Sequence, residues 1–172
     1  MTSVQQAISD IEHLIALYGA TALFVVIYFE SFGVPLPGES ALITASLLAT
    51  RGDLALHNVF AAAFLGAVLG DSTGFLIGHF GGRRLLVRFG PLIKLTPERL
   101  AHVEDLASRR GFLMVLGARF VVVLRQLNGL VAGSVGMPWH HFVVANAIGA
   151  VLWTGLWTFG PYYFADAFRR FF

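Results

Sequence analysis

The chain has 172 residues, of which 56% are hydrophobic and only 13% charged, about half the charged fraction of an ordinary soluble domain. Too few charges remain to cover a water-facing surface, so the composition places the chain in lipid. The formal net charge is +2 and there is no cysteine, which excludes a basic nucleic-acid-binding tail, a disulfide framework and thiolate metal sites.

In chain order, Val4, Ile8, Ile11, Leu14 and Ile15 form one stripe opposite Gln5, Gln6, Ser9 and Glu12. That is the pattern of an amphipathic helix at an interface. Asp10 and Glu12 stand where a secretory signal carries positive charge, so no cleaved targeting segment is expected. Tyr18 to Phe32 is apolar but closes on Glu30, and Gly33-Val34-Pro35-Leu36-Pro37-Gly38-Glu39 then breaks any helix. The stretch from Leu14 to Phe32 reads either as a hairpin arm or as a full crossing. The helix resumes over Ser40 to Thr50 for about 16 Å at 1.5 Å per residue, too short for the roughly 30 Å of a hydrocarbon core. A helix, a Pro/Gly break and a half-length helix predict a re-entrant hairpin.

Leu56 to Phe80 is long enough to cross, with Gly66, Gly70, Gly74 and Gly78 along one ridge. Small residues at that spacing let two helix backbones approach closely in lipid. Asp71 lies beside the ridge and so faces protein. From Gly81 to Arg110 the chain is basic, and Thr96-Pro97 offers a cap and first-turn proline for a surface helix. The positive-inside rule makes this connector cytoplasmic. Phe112 to Leu124, with Arg119 inside and Arg125 at its end, is again too short to span, and Phe112 to Gly136 reads as a second hairpin that Met137-Pro138 leaves. Phe142 to Phe164 makes a full crossing in which Tyr162 and Tyr163 suit an interface and Trp153 lies too deep for one.

The expected fold is an all-α membrane protein of two inverted repeats, each a re-entrant helical hairpin plus a transmembrane helix. Residues 1–80 form the first repeat with the amphipathic N-terminal helix, 81–110 a cytoplasmic connector carrying the surface helix, 111–165 the second repeat and 166–172 a tail, in one membrane domain. Gly66-Ala67-Val68-Leu69 matching Gly149-Ala150-Val151-Leu152 supports a duplication, although residues this abundant also coincide by chance. Inverted repeats with broken segments near the midplane are a common transporter arrangement.

A charge at the bilayer centre costs roughly 2.5–3.5 kcal/mol on insertion scales, so Glu30, Glu39, Arg119 and Arg125 must be paired or solvated. The simplest arrangement brings the hairpins tip to tip, with carboxylates and guanidiniums sharing one wet pocket. Arginine binds phosphate oxygens with its planar fork and stays charged when desolvated. This makes Arg119 and Arg125, with Asn128, candidate substrate-binding residues, and Glu30, Glu39 and Asp71 candidate proton or gating residues. The structural alternative is a set of buried salt bridges that only hold the hairpins together. Asp71 is either a third acid of the cavity or a partner of the broken backbone, and Asn128 is either a ligand donor or a turn residue before Gly129. His57, His79, His102, His140 and His141 share no ligand spacing, so no metal is expected. No Gly-x-Ser-x-Gly, His-Glu-x-x-His or Walker loop is present, so neither a hydrolytic enzyme nor an ATP-driven pump is expected, and no cofactor.

Several of these residues together carry a family resemblance: Glu30-Ser31, Pro35-Leu36-Pro37-Gly38-Glu39, Gly70-Asp71, Arg119-Phe120 with Arg125 six residues on, Ala132-Gly133, and Asn146 to Trp153. Over nearly its whole length the sequence resembles the DedA family, whose conserved domain is shared with eukaryotic lipid-scrambling membrane proteins of the autophagy pathway. The resemblance implies two facing re-entrant hairpins, with essential residues at the positions of Glu30, Glu39, Arg119 and Arg125. It also implies recycling of undecaprenyl phosphate, or flipping of phospholipids, across the bacterial inner membrane with dependence on the proton-motive force. Many members carry prolines after each arginine, where this chain has Val122 and Gly129.

The expected function is therefore a lipid flippase or scramblase. Its expected partners are the membrane, a lipid with a phosphate headgroup, and protons or a monovalent cation. No nucleic acid is expected, and a homo-oligomer is left open. A proton- or cation-coupled transporter of a small ion or drug is the alternative, and a non-catalytic membrane assembly protein a second one.

Overall fold

The structure, a computed structural model, describes residues 18–89, 105 and 110–171, and all regular structure among them is helical. The amphipathic stripe at 4–17 and the surface helix begun by Thr96-Pro97 lie outside the described residues. The helices are α1 (Ala20–Ser31), α2 (Gly38–Thr50), α3 (Leu56–Phe89), α4 (110–118), α5 (Val122–Ser134) and α6 (Trp139–Phe171). Stretches Leu56–Gly81 of α3 and Trp139–Ala165 of α6 are long and apolar enough to cross a bilayer. Both show exposed apolar stripes among the described residues, Leu65, Leu69 and Leu76 on α3 and Ile148, Leu152 and Leu156 on α6. A water-soluble fold would hide such surface.

Helix α3 runs on through Gly81-Gly82 to Phe89, so the segment read as a connector from residue 81 begins as helix. Helix α2 starts at Gly38 rather than Ser40, which puts Glu39 in its first turn. The larger correction concerns the second break. Arg119 is not inside a helix, because α4 ends at residue 118 and Val121 is extended at φ −115° and ψ 116° before α5 begins. Arg125 therefore sits in the first turn of α5 and Asn128 in its interior, which removes the turn reading of Asn128. No proline or glycine marks 119–121, so nothing punctuates this break in the sequence. Val122 is the first residue of α5, a position where proline is well tolerated, so the departure from the family pattern there costs the break nothing.

The two short helices end alike. Beyond α2, Gly52 at φ +85° and Asp53 donate backward to the carbonyls of Ala49 and Leu48; beyond α5, Gly136 at φ +74° and Met137 donate to Gly133 and Ala132. Each is a paired backward bond closed by a left-handed glycine, which satisfies carbonyls that lipid would leave bare.

The chain forms two compact units. The first takes in α1 up to Glu30, Val34–Ala67 and the chain from Ala150. Its buried residues include Leu23, Ile27, Leu42, Ala45, Val59 and Trp153. Gly66 lies against α1, where a methyl group would stand 2.8 Å from the Phe24 carbonyl. Phe60 stacks on Phe159 with ring centroids 5.6 Å apart. Pro161 interrupts α6 and leaves the Trp157 carbonyl without its helical donor. The buried Ser46 hydroxyl donates to the adjacent carbonyl, that of Thr158, at 2.5 Å. Ser46→Ala is expected to lower the stability of the detergent-solubilised protein by about 1 kcal/mol, read as a shift of its thermal unfolding.

The second unit takes in Ser31–Gly33 and Val68–Gly149. Phe75, Val115, Ala132, Met137, Phe142 and Ala145 form its apolar core, with the Phe75 and Phe142 rings 4.6 Å apart. Helices α3 and α5 meet there on glycines. A methyl group at Gly129 would overlap the Asp71 carbonyl, one at Gly133 the Phe75 carbonyl, and one at Gly78 the Leu130 carbonyl. Part of the predicted glycine ridge thus packs on α5, which brings its own pair of glycines to the contact.

Candidate functional site

The crossing of α3 on α5 buries Asp71 completely. Arg119, in the break between α4 and α5, is 1% exposed and donates from Nη2 to Asp71 Oδ2 at 2.7 Å and to Asn146 Oδ1 at 2.8 Å. Asn146, from the first third of α6, is itself anchored, since its Nδ2 donates to the Val68 carbonyl at 3.3 Å. Two helices thereby fix one end of the guanidinium. The other end is unmet, because Arg119 Nε and Nη1 and Asp71 Oδ1 are buried without a hydrogen-bond partner among the described residues.

Arg125 is also buried and lies close enough to act electrostatically on Asp71 and Arg119. The start of α5 has no acidic residue in its first turn and adds the positive end of a helix dipole beside the two arginines. Two guanidiniums and one carboxylate are thus gathered in one buried place, and guanidinium groups are well suited to hold an oxyanion. Asn128 ties α5 to α4 by donating from Nδ2 to the Val115 carbonyl at 3.0 Å, and its Oδ1 accepts no hydrogen bond among the described residues.

The first unit has its own buried acid. Glu30 is 3% exposed, and its carboxylate packs on Gly38, so that a methyl group there would overlap Oε2 and stand 2.7 Å from Cδ. Gly38 opens α2, whose N-cap residue Pro37 makes no side-chain cap. The Glu30 carboxylate therefore faces the positive end of α2, where a negative charge is stabilised. Glu39 is half-buried in the same first turn.

Of the residues singled out from the sequence, Asp71, Arg119, Arg125 and Asn128 lie in one unit and Glu30 and Glu39 in the other. The carboxylate bonded to Arg119 is Asp71, whereas the sequence suggested a glutamate. Sequence reasoning missed Asn146 as a site residue. Its signal was present, since a carboxamide inside an apolar crossing helix has to find a polar partner.

Comparison with other proteins gives these residues a context. Residues 36–163 match the VTT domain. An uncharacterized membrane protein of Synechocystis sp. is 37% identical over 150 residues, covering 87% of this chain and 69% of that protein. An uncharacterized membrane protein of Mycobacterium tuberculosis is 39% identical over 140 residues, 76% of this chain and 62% of its own length. Protein DedA of Escherichia coli is 31% identical over 159 residues, 88% of this chain and 72% of DedA. No solved structure matches the chain. The chain spans 62% to 72% of the length of these relatives.

Proposed function

The chain belongs to the DedA family of VTT-domain membrane proteins, and from that premise we propose that it moves an anionic phosphate lipid, undecaprenyl phosphate or a phospholipid, across the bacterial inner membrane with coupling to protons. The observation that carries the reading is Arg119, 1% exposed and donating from Nη2, while its Nε and Nη1 have no hydrogen-bond partner among the described residues. A buried guanidinium left partly unsatisfied is expensive as a purely structural element, because an apolar replacement would serve stability as well or better. A phosphate oxyanion supplies the missing acceptors. Arg119 and Arg125 bind it, Asn128 orders it, and Asp71 exchanges with it as the partner of Arg119. Glu30 and Glu39 carry the proton or gate the path. No covalent bond is made or broken, so the protein is a carrier and not an enzyme.

The fold reading goes with the function. The pairs α1–α2 and α4–α5 are re-entrant hairpins, while α3 and α6 are the full crossings of a multi-pass protein built as an inverted repeat. What supports this is the shared order of both halves: a helix, a break, a 13-residue helix closed by a left-handed glycine, then a long apolar helix. Thirteen residues cover about 20 Å, short of a bilayer core of roughly 30 Å.

The test is transport in proteoliposomes. Purified protein is expected to speed transbilayer movement of labelled undecaprenyl phosphate or phospholipid, faster under a pH gradient, and Arg119→Ala and Arg125→Ala to return it to the protein-free rate. Transport that survives both substitutions would remove the arginines from the mechanism. Flux of a small ion that Glu39→Gln abolishes, with lipid movement at background throughout, would favour the ion transporter.

A further inference from the structure

The Arg119 side chain is held along its length by one face of α6. Asn146 accepts from its Nη2. One turn further on, Gly149 is buried against the stem, where a methyl group would stand 3.3 Å from Cδ, 3.5 Å from Nε and 3.5 Å from Leu116 Cδ1. Nε and Nη1, which have no partner among the described residues, thus belong to a guanidinium whose other nitrogen is fixed and whose Nε adjoins a backbone bare of any Cβ. A mid-helix glycine costs about 1 kcal/mol relative to alanine. In α6 that cost leaves clearance beside a buried cation.

On the reading that Arg119 binds a phosphate, we infer that Asn146 and Gly149 form the α6 half of the anion site: Asn146 is a positioning residue that fixes the guanidinium through Nη2, and Gly149 leaves room for an oxyanion on Nε. The ligand is a phosphate group, either of a lipid headgroup or as the free ion. A carboxamide suits the holding role because it accepts from the arginine without adding a negative charge that would compete with the ligand. Its own N–H, given to the Val68 carbonyl at 3.3 Å, stops it from turning away. An alanine at 149 would press on Cδ, so that the stem gives by a few tenths of an ångström, and its carbon would fill the space in contact with Nε, while improving the helix.

The experiment measures thermal unfolding of the full chain in phosphatidylcholine nanodiscs, bare, with inorganic phosphate, and with phosphatidic acid added to the lipid. A ligand of the folded state raises the unfolding temperature by mass action. Wild type is expected to gain stability with phosphatidic acid if the headgroup is the ligand, or with inorganic phosphate if the free ion is, and Arg119→Ala to gain with neither. Gly149→Ala is expected to unfold at the wild-type temperature or above without ligand, yet to bind the active probe at least tenfold more weakly. Asn146→Ala is expected to weaken that probe likewise. Gly149→Ala and Asn146→Ala that bind as wild type, while Arg119→Ala does not, would leave the phosphate reading standing and overturn the α6 assignment. A wild type that responds to neither probe would overturn both.

Discussion

Asp71→Ala is expected to destabilise the protein by about 3–5 kcal/mol, the usual penalty for leaving one member of a buried ion pair alone. The substitution removes the acceptor 2.7 Å from Arg119 Nη2 in a site where neither partner is more than 1% exposed. What remains is a guanidinium that cannot lose its proton, close to a second arginine and to the positive start of α5. Arg119→Met should cost less, because a lone buried carboxyl can take up a proton and become neutral. The double variant should unfold closer to wild type than Asp71→Ala does, since no unpaired guanidinium then remains. Chemical unfolding of the four proteins in detergent checks the order: wild type, the double variant and Arg119→Met, then Asp71→Ala. Transport should be absent from all three variants. A double variant that recovers stability without transport would separate what the pair does for function from what it does for the fold. A single Asp71→Ala that unfolds like wild type would mean that the pair is not formed as described.

Much of this architecture was legible because lipid narrows what a sequence can encode. The apolar crossing stretches of α3 and α6, the Pro-Leu-Pro break before α2 and the burial of Asp71 follow from apolar run length, from helix-breaking residues and from the glycine ridge, whereas the continuation of α3 to Phe89 does not. The break at 119–121 was not legible, because it contains neither glycine nor proline; the only trace of it was two arginines in a run too short to span. The partner of Arg119 was illegible for a different reason. Pairing between residues 48 apart in the chain depends on which faces of α3 and α5 meet, and that was decided by Gly129 and Gly133, whose role could not be told from their glycine-rich surroundings. Asn146 stood out less than a charge does, and its importance emerges only when its two ends are traced to Arg119 and Val68.

The same glycines carry the second large effect. Gly133→Leu is expected to prevent recovery of a monodisperse protein, and Gly133→Ala to fold but transport at no more than about a tenth of the wild-type rate. At Gly133 the added carbon would meet the Phe75 carbonyl and stand 2.8 Å from the His79 nitrogen, both backbone atoms of α3 that no rotamer change can move aside. Helix α5 must then retreat. Forcing extra carbons into a packed contact costs about 1–3 kcal/mol and sometimes more, and between membrane helices close packing is itself the main cohesive term. The retreat also shifts Arg125 and Asn128, which ride on α5, relative to Asp71 on α3. A displacement of about 1 Å at a positioning element can lower a rate by about two orders of magnitude. The control is Gly155→Ala in α6, where an added carbon meets nothing within 4 Å. The general gain in helix propensity there, up to about 1 kcal/mol, should leave transport intact and unfolding unchanged or later. Equal behaviour of Gly133→Ala and Gly155→Ala, both in melting and in lipid movement, would show that the α3–α5 contact tolerates a methyl group and that the register of the arginine site is not set by it.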